Sequence, residues 1–395
     1  MRKIIASVVV VPLMCVAIYA RDFSLNTITA SNISSSDNNG SIQPAPAFAS
    51  KNTNDAYDFS VKPGTEKWKA FDDSREMLKA CQVPEQILRK MSTAGLVKTV
   101  MNQPLFWSTI MFHTKTPDSA GMQWGFNVLV SQFNGIQELL KRRDAGTELL
   151  LKYRSIPLPK KEASDTEIGD YLFYCYSFEI LFAQGYIRAG LTETQLEELR
   201  KELLAKYEIK KALKSEGGYS RELMELNGLL PDSPKLYNIT VPTPKGYPVE
   251  ALQMQASDEM DPKVIAHCNQ LTILEYPKAT WEASCTQMYN CHSYAWYNQA
   301  TSNTVWIDGP NQAKYWEDGS YVPSPYATAG MKLSYSNDNH SAVFVSGDYP
   351  STNPTGALCR SKWGNGPLML HPCGNGKPYE PYNAVGIVVY RLNVK

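Results

Sequence analysis

The chain has 395 residues, room for two or three domains, with 39 basic and 39 acidic side chains and a formal net charge of zero. That balance excludes a polybasic nucleic-acid coat or membrane-surface binder, so no nucleic-acid partner is expected. Hydrophobic residues make up 43% of the chain, which excludes a wholly disordered protein.

Arg2 and Lys3 precede an almost wholly apolar run from Ile4 to Tyr19, and Ala17 or Ala20 offers a small residue for cleavage. This pattern reads as a signal peptide over residues 1–20, and hence as an exported protein: periplasmic, surface-bound or extracellular. Met14 stands where a lipoprotein would carry a small residue before Cys15, which argues against lipidation. No later segment approaches a membrane span in length, so no stable span is expected after signal cleavage.

Export changes what the cysteines mean. Eight cysteines less Cys15 leave seven, an odd number, so an oxidising compartment leaves one thiol over. Cys359 and Cys373 bracket a short turn and are expected to pair. Cys268 with Cys285 and Cys81 with Cys175 are further expected partners, which leaves Cys291 free.

Residues 21–62 are rich in Ser, Asn, Thr and Pro and read as a flexible leader. Residues 63–230 read as an all-helical domain. Ser92 precedes Leu96, Val97, Val100 and Met101, and Thr192 with Gln195 forms a capping box ahead of Leu196, Leu199, Leu203 and Tyr207. Further helices are expected over Gly135–Tyr153 and Asp170–Tyr186. The prolines at 231, 234, 242, 244 and 248 mark residues 231–262 as a linker or extended arm. Residues 263–395 are poorer in charge and richer in Tyr, Trp, Gly and Asn. Short alternating runs at Met331–Tyr335, Ser341–Val345 and Val385–Leu392 predict a small antiparallel sheet, and Asn290–Ala300 predicts one helix. The fold class is therefore α+β, with a helical domain ahead of a helix-and-sheet domain.

Cys291 opens the predicted helix, where unsatisfied main-chain N–H groups favour thiolate, the form that attacks a carbonyl. His340 heads an apolar strand and is the expected base. A third polar group must orient its imidazole. Strand alternation puts Ser361 and Trp363 on one face and Lys362 on the other, so Ser361 is favoured as the orienter, with His371 next. Gln287, four residues before Cys291, is a candidate oxyanion donor with the Cys291 N–H. Trp296 and Trp363 could line a cleft, and Lys362 could bind a substrate carboxylate. A zinc reading of His267, Cys268, Cys285, Cys291 and His292 fails on spacing, so neither metal nor cofactor is expected. His113 carries no catalytic signal.

Tyr289–Trp296 (YNCHSYAW), Trp306–Pro310, Tyr315–Tyr321, Asn339–Phe344 (NHSAVF), Ser361–Gly364 (SKWG) and His371 together resemble a set of exported bacterial proteins. The order of these elements is similar to that of papain-like cysteine amidases of the NlpC and CHAP types. The resemblance implies a papain-like domain over 263–395 that hydrolyses an amide bond, commonly in cell-wall peptides, through a Cys, a His and a third polar residue. The segment from 63 to 153 resembles a helical module of exported proteins of Bacteroides-like bacteria. Two other classes stand beside hydrolysis: a noncatalytic surface or binding protein that retains the fold, and acyl or glutaminyl transfer by the same dyad.

Overall fold

In a computed structural model of the chain, the described residues are 55–71, 74–106, 126, 129–160, 162–213, 237–256, 259–335, 340–349, 356–373 and 386–393. The predicted signal peptide, most of the predicted leader and His113 lie outside them. No described helix is long and apolar enough to cross a membrane.

Side-chain caps at Thr65, Ser92, Ser164 and Thr192 satisfy main-chain N–H groups at the starts of helices between 63 and 213. Ser92 accepts from Gly95 N–H ahead of α1 (Thr93–Met101). The predicted helix over 135–153 is two, Asn134–Leu139 and α2 (Ala145–Arg154), separated by a turn at Arg142–Asp144. Ser164 and Glu167 form a capping box at the start of α3 (Asp165–Phe182), which begins earlier than its apolar run suggests. Thr192 and Gln195 close the predicted box ahead of α4 (Glu193–Ala212). Leu96, Val100, Leu149, Phe178, Phe182 and Leu199 meet in one buried core.

Three observations join this bundle to the C-terminal part. The helix α5 (Pro262–Glu275) lies along α3. A Cβ on Gly169 would stand 2.6 Å from the Cβ of His267, so only glycine allows the two helices this close. Trp68 Nε1 also donates to the Glu275 carbonyl at 2.8 Å.

The C-terminal part holds two antiparallel sheets. The smaller orders β1 (Tyr237–Pro242), β2 (Pro248–Gln253) and β4 (Val305–Trp306). Pro231 and Pro234 lie outside the described residues, and Pro242, Pro244 and Pro248 belong to a hairpin. Pro242 and Pro248 pair across its end, and the Thr243–Tyr247 turn between them holds Gly246 at φ 86°. Pro242 is tolerated because β1 lies at the sheet edge, and Pro248 because it is the first residue of β2.

The larger sheet orders β3 (Thr280–Ala283), β9 (Leu368–Pro372), β8 (Ala357–Lys362), β7 (Ser341–Gly347), β6 (Lys332–Ser334), β10 (Val388–Leu392) and β5 (Tyr321–Pro323). All three predicted strand runs are present, the first and last shortened and the middle one extended to Gly347. Strand alternation divides this sheet's contacts cleanly. Ala342, Phe344, Cys359, Trp363, Met369 and Val389 join Cys268 and Tyr276 in a core on the α5 side. Val343, Leu368 and Tyr390 join Tyr289, Tyr294 and Trp296 on the other.

Disulfides join Cys268 to Cys285 and Cys359 to Cys373, with Cα atoms 6.3 and 5.3 Å apart. The pairing of Cys81 with Cys175 is not made, and both thiols are free and buried. Cys81 packs with Val61, Trp68 and Met77, whereas Cys175 belongs to the main helical core, so their thiols sit in separate apolar clusters. Burial pushes Cys81 up to about 12 and Cys175 up to about 11, which keeps both protonated and inert.

Peptide mapping without reduction should recover the 268–285 and 359–373 links, with Cys81, Cys175 and Cys291 as thiols. Replacing Cys359 and Cys373 by alanine should lower stability by about 3 kcal/mol, the chain-entropy value for a loop of this size, read from the urea midpoint.

Candidate active site

The segment before Cys291 is held at every step. Asn269 Oδ1 accepts the Cys285 N–H at 2.8 Å. Glu259 takes the Thr286 hydroxyl and, at 3.2 Å, the Gln287 N–H. Asn290 Nδ2 donates to the Ile307 carbonyl at 2.6 Å, and its Oδ1 accepts the Ser293 N–H at 3.0 Å. That last bond is a side-chain cap, so Cys291 opens a helical turn as the sequence predicts. The turn is wider than an α-helix: Ser293–Tyr297 is a π-turn closed by Asn298 N–H on the Ser293 carbonyl.

Cys291 is free and 5% exposed. Its sulfur lies among the main-chain N–H groups of Ser341, His292 and Cys291 itself, with the Lys362 charge nearby. Burial outweighs these four favourable contributions and pushes the thiol up to about 12. The expectation of a resting thiolate is thus reversed, and the thiol is protonated at neutral pH.

His340 immediately precedes β7, whose first residue, Ser341, directs its N–H at Cys291. The imidazole is fully buried, edge-on to Tyr335 with ring centroids 4.8 Å apart. Burial, together with the fields of His371 and His292, holds it well below the usual imidazole range, so it is neutral at pH 7.

The two candidate orienters are bound to each other. Ser361 Oγ lies 2.7 Å from His371 Nε2, and Trp363 Nε1 donates to Ser361 Oγ at 3.0 Å. His371 Nδ1 is 3.2 Å from the Pro372 carbonyl, which can only accept. Nδ1 therefore carries the proton, Nε2 accepts from the Ser361 hydroxyl, and the order from Trp363 to Pro372 has a single direction. Burial holds His371 down to about 4.

Ser341, on the face opposite to Ser361, works in a second polar chain. Its hydroxyl accepts from Trp296 Nε1 at 2.9 Å and lies 2.9 Å from His292 Nδ1. The sequence reading met His292 only as a zinc candidate and gave Ser341, Asn290 and Glu259 no role. Their signal was adjacency to Cys291 and His340 within NCHS and HSA. Glu259 lies 32 positions before Cys291, and nothing local marks it.

The three residues expected to touch substrate are core residues. Trp363 is fully buried, with its ring against Tyr276 and His371. Trp296 is enclosed by Tyr315, Trp316, Tyr321 and Tyr390. Lys362 is fully buried and donates to the carbonyls of Thr286, Gly364 and Gly366 at 2.8, 2.5 and 2.5 Å. An ammonium has three N–H bonds, and these three acceptors match them, so no donor is left for a substrate carboxylate. Gln287 is half-buried in the bend before Cys291.

Among the described residues, no group of three or more His, Cys, Asp or Glu is arranged to hold a metal ion. The Cys268–Cys285 disulfide removes two of the ligands the zinc reading needed. Compared with known proteins, the chain matches no family, no curated protein and no solved structure.

His371 links this site to acid stability. Its pKa is about 4 in the folded protein and about 6.5 unfolded, so the unfolded chain binds more protons between those values. Stability is complete above pH 6.5 and declines as pH falls toward 4, by on the order of 3 kcal/mol for His371, with His340 adding in the same direction. The urea midpoint should drop between pH 7 and 5. The slope should flatten in His371→Gln, whatever that variant's absolute stability.

Proposed function

We propose that this protein is an exported cysteine hydrolase of papain-like architecture that cleaves an amide bond in a peptide, with cell-wall peptides the favoured class. Cys291 is the nucleophile and His340 the general base. The observation that carries this reading is the 2.9 Å hydrogen bond between His292 Nδ1 and the Ser341 hydroxyl, which joins the residue after Cys291 to the residue after His340.

The charge states favour one mechanism. A neutral imidazole can take a proton, and a neutral thiol can give one. The proton leaves sulfur as the sulfur attacks the carbonyl carbon, passes to His340, and is then delivered to the departing amine. A thioester remains on Cys291 until water attacks it. An amine in place of water would give transfer instead. The main-chain N–H groups of Cys291 and His292, already turned toward the sulfur, are suited to the tetrahedral oxyanion. Gln287 is the added side-chain donor in this reading, and the Ser361–His371 pair backs the His340 ring.

A noncatalytic scaffold is the second reading. Two observations favour it: burial keeps the Cys291 thiol protonated, and the His340 ring lies against Tyr335, in the core on the α5 side.

Incubating the mature protein with a peptide mixture and with cell-wall stem peptides, and reading new amine ends by mass spectrometry, separates the two. Hydrolysis should appear, fall at least about a thousandfold in Cys291→Ala, and fall comparably in His340→Ala. Because His340 must be neutral and its pKa is depressed, turnover should hold from pH 7 down to 6 and fail only at lower pH. No cleavage by the wild-type protein, or Cys291 recovered in a disulfide, would leave the scaffold reading, and cleavage unchanged in Cys291→Ala would remove Cys291 as the nucleophile.

A further inference from the structure

Lys362 closes β8 at the end of the sheet where β7 begins, so it stands beside the strand head that reaches Cys291. Its ammonium is fully buried and bridges two separate pieces of chain. One is the Gly364–Gly366 turn after β8, and the other is Thr286, five residues before Cys291. Three carbonyl acceptors call for the charged form, because a neutral amine has only two N–H bonds to give. The same Nζ lies 5.2 Å from the centroid of the Tyr289 ring, two residues from Cys291. A positive charge is therefore built into the floor of the site without any substrate.

We propose that Lys362 is a positioning residue for the Cys291 reaction. It ties the 286–290 segment to the sheet and holds a fixed positive charge beside the sulfur, which stabilises negative charge as the thiol gives up its proton. This rests on Cys291 being the nucleophile. Lys362 contributes through Coulomb attraction where burial works the other way, and charge in a water-poor site is little screened. The other titratable groups on the elements packed against the Cys291 turn are His292 on the turn itself, His340 before β7, His371 on β9, Tyr289 and Tyr294, Arg360 on β8, which is paired with Glu282, and the buried Lys332 on β6, held down to about 8. Glu259 lies on the 286–287 segment and is occupied by Thr286 and Gln287. At pH 9 the imidazoles carry no charge, Lys332 is largely neutral and Arg360 is paired with Glu282, which leaves Lys362 as the cation of this set held by carbonyls alone.

The test is alkylation of Cys291 in the native full chain at pH 9, quantified by mass spectrometry of the Cys291 peptide. In Lys362→Met the rate with iodoacetamide should fall about tenfold, one pKa unit of lost thiolate, and Lys362→Arg should restore most of it. A purely structural tie predicts the opposite sign, since releasing Thr286 would loosen the segment and expose the sulfur. An unchanged or faster rate in Lys362→Met would overturn the proposal. A second measurement needs no variant. In wild type the ratio of the iodoacetate to the iodoacetamide rate should exceed the same ratio for the urea-unfolded chain by about threefold or more, because the fixed cation attracts the anionic reagent. A native ratio equal to or below the unfolded one overturns the proposal as well. Failure of the nucleophile reading looks different: amide hydrolysis would survive Cys291→Ala while the Lys362 effects on alkylation remained.

Discussion

Burying an ammonium is costly unless its N–H bonds all find acceptors, and at Lys362 that requirement draws the site together. Water cannot reach it, so the carbonyls must come from the chain. Two come from the turn just beyond β8 and the third from Thr286, 76 positions away in sequence. The third sets the path of the segment that ends at Cys291. Glu259 and Asn290 then fix the same segment from other sides, through Thr286, Gln287, Ser293 and Ile307. The entry to the Cys291 turn is thus determined by polar groups that would be left unsatisfied in any other arrangement.

The sheet gives this polar cluster its two sides. Ser361 and His371 stand with Trp363 over the α5 core, while Ser341 stands with His292 and Trp296 over the opposite one. In each chain a tryptophan N–H donates to a serine hydroxyl, and that hydroxyl meets an imidazole. An indole can only donate and a hydroxyl can do both, so the histidine at the end is held in place without a carboxylate. Carboxylates do lie near the site, but they serve elsewhere: Glu259 holds the entry segment and Glu282 pairs with Arg360. A site of this composition has little negative charge with which to stabilise an imidazolium. That agrees with His340 and His371 both being depressed, and with a reaction that moves one proton rather than resting as an ion pair.

Much of the fold was legible. Capping residues announce themselves within four positions, which is why Ser92 and the Thr192–Gln195 box marked helix starts correctly. The 135–153 helix was overread, because apolar spacing continues through a turn that Arg142 and Asp144 form. The proline-rich stretch reads as a linker or extended arm because proline counts against strand in general, whereas Pro242 is accepted on the edge strand β1 and Pro248 at the first position of β2. The Cys359–Cys373 link was readable since its cysteines lie on neighbouring antiparallel chain, while Cys81 and Cys175 are far apart in sequence and enter different cores.

For the candidate site, the sequence by itself placed Cys291 at the start of a helical turn, His340 at the head of a strand, and Ser361 and Lys362 on opposite faces of the next. These are local matters of capping and alternation, and local geometry is written in neighbouring residues. Only the tertiary structure decided what the residues do there. It bound Ser361 to His371, turned Lys362 and both tryptophans into the interior, and buried Cys291 deeply enough to keep its proton. Burial and partner choice depend on chain segments tens of positions away, and no local pattern encodes how far water is excluded.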